Sequence, residues 1–286
     1  MTPRRIVAEA FTAACRDELE APKPGNVHVF APGHRMTTAQ FIDSAAAAVG
    51  PLCAPSTRVG VRIRGAVEAT LQAVGTNTNL GILLLCAPLA AAAELEALEL
   101  RDALARVLND LDVSDADHAF AAIIQASPAG LGRAERHDVF APAQVTLKQA
   151  MAEAADRDRV ARQYATAFAD VFDLGMTLHA SASARWSDPK WAVLAVYLGF
   201  MSKFPDTHVI RKHGADVASD VHRAAMKFEA LLWSIQDPTI LLGELLAWDA
   251  ALKARAINPG TSADLTVATL FGRYLQSVLP SRRKSD

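Results

Sequence analysis

The sequence predicts an all-α protein that folds as a single compact domain of about ten helices. Apolar residues recur every three or four positions along most of the 286-residue chain, which is the spacing of an amphipathic helix. Alanine, a strong helix former, is abundant. Strand-like alternation is confined to two short segments, residues 59–63 and 207–211. We therefore expect one helical domain over residues 1–279, followed by a polar tail over 280–286.

Each helix is predicted from its capping residue and from its apolar face. Thr2 followed by Pro3 is an N-cap and first-turn pair, and the helix that it starts ends before Pro22. Residues 80–93 are apolar on all sides, which predicts a buried central helix. Further helix starts are predicted, in chain order, at Thr37–Thr38, Arg62, Leu100, Ser114 with Asp117, Thr146 with Gln149, Asp158, Asp188–Pro189, Asp237–Pro238 and Ser262.

The composition argues against several classes of function. A formal net charge of −2 and an aromatic content of 6% give no support to a nucleic-acid partner or to a membrane surface. The three cysteines are far apart and odd in number, so a disulfide framework or a thiolate zinc site is not indicated. The longest apolar run contains Pro88 and is too short to cross a bilayer. We expect a cytoplasmic protein; its alanine-rich helices are also compatible with a homo-oligomer.

Three loops rich in glycine and small polar residues each run into a predicted helix: residues 21–34, 75–81 and 258–265. The N-terminus of a helix presents free N–H groups and the positive end of the helix dipole, which suit phosphate oxygens. Ordinary helix capping by Asn, Ser and Asp is the simpler alternative for any one of these loops. In the first loop, Lys23 stands between two prolines that restrict the backbone and so aim its ammonium group.

The candidate phosphate contacts come from these loops and from a basic segment, residues 204–214. That segment places an acid ahead of His, Arg, Lys and His, and a solvated basic edge is its alternative interpretation. Residues 130–139 form another charged segment, for which a mobile surface loop is the simpler interpretation. The candidate phosphate- or substrate-binding residues are Lys23, Gly25, Asn77, Asn79, Arg211, Lys212 and Ser262.

The candidate catalytic residues are His34, Asp206 and Asp264. His34 is the candidate for proton transfer, because imidazole titrates near neutral pH. Asp206 and Asp264 are the candidate metal ligands or charge-stabilising carboxylates. Histidine spacings typical of zinc sites do not occur, and carboxylate and amide oxygens instead suit a hard cation such as Mg²⁺.

Taken together, the loops resemble the triphosphoribosyl-dephospho-CoA synthase family. Members carry P-K-P-G-L-V-D, then G-A-H, G-V-N-T-H-K-G before an apolar helix, D-T-N-L-V-x-R-x-G, and S-P-G-G-S-A-D-L near the end. The corresponding stretches here are residues 22–28, 32–34, 75–81, 206–214 and 258–265, in the same order and through nearly the whole chain. The family is all-α, in agreement with the helical pattern.

The resemblance implies a reaction between two nucleotides. ATP gives up adenine, and its triphosphoribosyl group passes to the 2'-hydroxyl of dephospho-CoA. Breaking the glycosidic C–N bond implies an oxocarbenium-like transition state. Such a site needs a base for the hydroxyl, donors and Mg²⁺ for the triphosphate, and a carboxylate near the developing positive charge.

The sequence departs from the family pattern at several motif positions. Asn79 and Leu80 replace the family's His and Lys, and His28 replaces an Asp. His208 stands at the family's Asn, and Lys212 at its Arg. These departures leave open a related transferase with another phosphoribosyl donor or acceptor, for example in making a tetrahydromethanopterin-type one-carbon carrier. A helical nucleotide-binding protein without catalysis is the alternative from a different class.

Overall fold

The computed structural model describes residues 3–31, 37–95, 98–128 and 130–278. Across these ranges the chain forms fourteen α-helices, one π-helical segment and one 3-10 turn, and no strand beyond an isolated bridge between His28 and Ala31. The all-α prediction is confirmed, while the number of helices exceeds the ten or so expected. The predicted tail, residues 280–286, lies outside the described residues.

The first eight helices lie within residues 3–165. They are α1 (Pro3–Leu19), α2 (Thr38–Leu52), α3 (Val59–Val74), α4 (Leu80–Ala92), α5 (Leu100–Asn109), α6 (Val113–Ala126), α7 (Leu147–Ala154) and α8 (Arg159–Ala165). The others are α9 (Met176–Arg185), α10 (Pro189–Lys203), α11 (Thr207–His213), α12 (Ala215–Ser234), α13 (Leu242–Ala254) and α14 (Gly260–Val278). A π-helical segment, Asp170–Gly175, precedes α9, and a 3-10 turn, Pro238–Leu241, precedes α13.

Helix α4 is the central helix that its uniformly apolar sequence predicts. Eleven of its thirteen residues are buried, and it packs against α3, α5 and α14. Helix α14 in turn packs against α1 and α10, so it connects this core to a second apolar cluster formed mainly by α10, α12 and α13. Contact between α4 and α14 is what brings the first turns of both helices to one cavity.

The two strand expectations are wrong, because residues 59–63 begin α3 and residues 207–211 lie in α11. For residues 207–211, a side-chain cap decides the local structure more strongly than the alternation does. The Asp206 carboxylate accepts hydrogen bonds from the N–H groups of His208 and Val209, which starts α11. A segment of seven residues is too short to show a helical period.

Several predicted helix starts are confirmed, and three are displaced. Helix α3 begins at Val59, ahead of the predicted Arg62. Thr146 forms a capping box with Gln149, and Asp188 and Asp237 cap the elements that begin at the prolines after them. The capping box predicted at Ser114 lies two residues earlier, where Asp112 pairs with Asp115. Helix α14 begins at Gly260, ahead of the predicted Ser262. Among the helices described, none is long and apolar enough to cross a membrane.

Candidate active site

The loops singled out in the sequence converge on one cavity of about 690 Å³. A cavity of this volume falls in the range, roughly 300–1,000 Å³, that holds small-molecule ligands. Its apolar wall comes from α4, α6, α7 and α8. Its polar wall comes from Glu18, Asn26, residues 76–81, Arg157, Asp158, His208, Arg211, Asn258, residues 260–261 and Asp264, and from most of residues 130–139.

The first turn of α4 lies in the cavity wall. Asn77 Oδ1 accepts a hydrogen bond of 3.1 Å from the Leu80 N–H, and the Asn79 amide donates one of 3.2 Å to Thr70. Both asparagines line the cavity, although Asn79 is 6% exposed and its side chain is turned towards Thr70. The two asparagines shape the start of α4, where Leu80 and Gly81 also line the cavity.

Asp264 is the carboxylate of α14 that reaches the cavity. It packs so closely against Gly81 that a Cβ at Gly81 would lie 2.0 Å from Asp264 Oδ2. No described residue donates a hydrogen bond to this carboxylate. Burial raises its pKa well above the ordinary value, and the nearby carboxylates of Asp206, Glu18 and Asp158 raise it further, while Arg211 opposes them. Asp264 is therefore suited to accept a proton.

Lys23 lies behind the cavity wall and does not line the cavity. Its side chain is fully buried, and its three donors meet Glu18 at 2.7 Å, the Val27 carbonyl at 2.7 Å and Asn26 Oδ1 at 3.3 Å. An ammonium group has three donors, so this arrangement leaves Lys23 none for a ligand. Glu18 and Asn26 line the cavity in its place.

Asp206 joins two helix N-termini instead of facing the cavity. One carboxylate oxygen accepts the N–H groups of His208 and Val209 at the start of α11. The other accepts the N–H and the hydroxyl of Ser262, both at 2.8 Å, in the first turn of α14. Asp206 is 3% exposed and Ser262 is fully buried, so the pair fixes the wall geometry and does not contact a ligand in this arrangement.

Arg211 and Lys212, both predicted as phosphate contacts, lie in different environments. Arg211 lines the cavity and forms an ion pair with Asp158 at 3.2 Å. Lys212 does not line it; its side chain is exposed, and its ammonium lies 3.4 Å from the Ala256 carbonyl.

Gly25 and His28 belong to a buried cluster beside the first loop. The Gly25 N–H donates to Asp249 Oδ1 at 2.8 Å, and His28 Nε2 lies 3.4 Å from the same oxygen. Lys253 completes the cluster at 2.8 Å from Asp249 Oδ2. Gly25 has φ of +80°, which favours glycine, and a Cβ there would lie 2.9 Å from Leu252. Neither Gly25 nor His28 lines the cavity. The position where His28 replaces the family's Asp therefore lies in the cluster behind the cavity wall.

The charged segment 130–139, for which a mobile surface loop was the simpler interpretation and from which no site residue was named, lies in the cavity wall. Arg133 and Arg136 belong to this segment, and Arg157 lines the cavity as well. The signal in the sequence was the two arginines beside two glycines, but nothing in that pattern distinguishes a cavity wall from an ordinary surface loop. Glu18 was missed because it lies within a regular helix.

Two further expectations concern the proton-transfer residue and the metal site. His34, the proton-transfer candidate, lies outside the described residues. Among the residues that the structure describes, no three His, Cys, Asp or Glu side chains lie close enough to hold a metal ion by themselves. Asp264 supplies one carboxylate with no protein donor among those residues, which fits a cation held mainly by phosphate oxygens.

The chain is similar to known proteins in both structure and sequence. A solved structure from Archaeoglobus fulgidus, named as a candidate triphosphoribosyl-dephospho-CoA synthase, has the same fold. It superposes with a TM-score of 0.65 at 24% sequence identity, covering 82% of this chain and 97% of that one. No curated protein matches the chain. Residues 4–283 match the family described as ATP:dephospho-CoA triphosphoribosyl transferase, and the chain therefore belongs to this family of transferases.

Proposed function

We propose that the protein transfers the triphosphoribosyl group of ATP to the 2'-hydroxyl of dephospho-CoA and releases adenine. The observation that carries the proposal is that each family-like stretch within the described residues, 22–28, 75–81, 206–214 and 258–265, contributes to the wall of one cavity. Family membership over nearly the whole chain supports the same activity. A polyphosphate, a ribose and a hydroxyl acceptor need the three features that this cavity combines: helix N-termini, arginines and a carboxylate free to act as a base.

The triphosphate would bind where α4 and α14 begin. Both helices exceed twelve residues, and their first turns line the cavity. The positive ends of the two helix dipoles favour phosphate oxygens at such positions. Arg211 adds a cationic side chain to the same wall. Lys23 would act indirectly here, by holding Glu18 and Asn26 in place.

Asp264 is the proposed base. In the reaction, the bond between C1' of the ATP ribose and adenine breaks, and adenine leaves with the bonding electrons and takes up a proton. The acceptor hydroxyl forms the new C1'–O bond and gives its proton to the Asp264 carboxylate. A raised pKa makes Asp264 a stronger base than an exposed aspartate, and its negative charge also favours the oxocarbenium-like transition state.

Magnesium is proposed to enter with ATP. Mg²⁺ is usually held by one or two carboxylates together with substrate phosphates. Asp206 uses both of its oxygens within the protein and Asp264 is the proposed base, so the ion would be held mainly by the triphosphate oxygens. Bound Mg²⁺ would neutralise part of the triphosphate charge.

The test is adenine release from ATP in the presence of Mg²⁺ and dephospho-CoA, followed by chromatography. We expect adenine and a heavier dephospho-CoA product in equal amounts. Asp264→Asn should abolish both, while Asp102→Asn, at an exposed position of α5, should leave both unchanged. Adenine release that needs a different acceptor would instead favour the related transferase.

A further inference from the structure

Carboxylates and exposed arginines both line the cavity. Glu18, at 4% exposure, and Asp264 supply carboxylates where α1, α4 and α14 meet. The side chains of Arg133 and Arg136 are 74% and 70% exposed. We call these two residues the rim arginines.

We propose that the rim arginines bind the diphosphate group of the acceptor, at a site separate from the triphosphate contacts of the donor. The inference rests on the proposed function and names a second substrate subsite within the same cavity. Arginine suits this role because its planar fork of donors matches phosphate oxygens and can bind two of them at once.

The ion pairs that the rim arginines form within the protein are weak. Arg133 lies 3.6 Å from Asp138, and Arg136 lies 3.5 Å from Glu153. Both distances exceed those of charge-assisted hydrogen bonds, and exposed ion pairs contribute little stability. Asp138 does not need Arg133, because its oxygens already accept the N–H groups of Ala134 at 2.7 Å and Phe140 at 2.8 Å.

The segment that carries the rim arginines has a defined shape. Asp138 closes it through those two backbone hydrogen bonds, and Gly130, Gly132 and His137 all have positive φ. Arg133 lies with its guanidinium 4.1 Å from the centre of the Phe140 ring, which holds the fork in position. A preorganised cation loses less entropy when it binds an anion.

The position of the rim arginines favours the acceptor over the donor. The donor's ribose must meet the acceptor hydroxyl beside Asp264, which packs against Gly81 where α4 begins, and the triphosphate is proposed to bind at the first turns of α4 and α14. The acceptor reacts through a ribose hydroxyl, and the rest of that molecule has to extend towards solvent. Its diphosphate would then pass the rim arginines.

The experiment compares the binding of each substrate in Arg133→Ala and Arg136→Ala. Calorimetry with dephospho-CoA alone should show affinity reduced about ten-fold in each variant, the effect of losing one charge-assisted contact. The KM for dephospho-CoA should rise similarly, while affinity for MgATP should change less than about two-fold, within the effect of a distant charge. Arg223→Ala is the matched control, since Arg223 is equally exposed and pairs with Asp220 outside the cavity wall.

Each outcome decides the proposal. Equal loss of affinity for MgATP and dephospho-CoA, or unchanged affinity for dephospho-CoA, would overturn it. Selective loss for dephospho-CoA would support it, and Arg→Lys at either position should recover only part of the affinity, because lysine keeps the charge without the fork. The binding measurement does not require turnover, so failure of adenine release in the parent would count against the proposed reaction alone.

Discussion

At the scale of single residues, the contacts of each charged side chain decide its role. Lys23 and Asp264 were both predicted to meet the substrate. The structure separates them, because all three Lys23 donors meet protein acceptors, whereas the Asp264 carboxylate lies in the cavity wall with no donor among the described residues. Each residue therefore has its own testable consequence.

Lys23→Met should destabilise the protein by about 3–5 kcal/mol, because it leaves Glu18 buried without its counter-ion. Chemical denaturation measures this free energy. The double variant Lys23→Met with Glu18→Gln should recover much of the loss, since it removes both charges. If Lys23→Met unfolded like the parent but bound MgATP poorly, Lys23 would be a direct phosphate contact after all.

Asp264→Asn should lower activity and raise stability together. Because burial raises the pKa of Asp264 in the folded state, its stabilising effect is present below the unfolded pKa and is lost as pH rises through the folded value. At a pH above the unfolded pKa the carboxyl group therefore costs stability, and the amide, which does not ionise, should raise the melting temperature by about 2 °C or more. A lower melting temperature would show that the carboxylate has partners that this account lacks.

The pH dependence of the parent should follow the same group. The base must be ionised, so kcat/KM should fall as pH is lowered through the raised pKa of Asp264, at a pH above that of an ordinary aspartate. The rate profile of the parent measures this directly, with ATP in excess. A profile that stays flat down to the range of ordinary carboxylates would exclude Asp264 as the base.

At the scale of helices, the close approach of α4 and α14 positions the site. Gly81→Ala should displace the Asp264 carboxylate, because the added Cβ would lie 2.0 Å from Oδ2, and activity should fall at least ten-fold for a shift of about 1 Å. Gly50→Ala, in the exposed face of α2 with open space around it, is the matched control. Equal activity in both variants would contradict the placement of Asp264.

The sequence predicted the helices better than their contacts. Helix α4 and the capping box at Thr146 follow from local pattern alone, and the structure confirms both. Residues 207–211 could not be assigned from periodicity, because the cap from Asp206 decides a helix that is only seven residues long. Local pattern also cannot show which acceptors surround Lys23, since Glu18 lies on a different element.

At the scale of the whole molecule, family membership was predicted from the ordered motifs and the helical fold from the spacing of apolar residues, and both are confirmed. What the motifs could not show is that Glu18, Asp264 and the exposed rim arginines line one cavity. That arrangement arises only when α1, α14 and residues 130–139, which are distant in sequence, meet around one space.

The central claim is that this cavity transfers a triphosphoribosyl group, and adenine release tests it most directly. With ATP, Mg²⁺ and dephospho-CoA, the parent should release one adenine for each dephospho-CoA modified, and Asp264→Asn should release none. A properly folded parent that binds ATP yet releases no adenine with this acceptor would contradict the account.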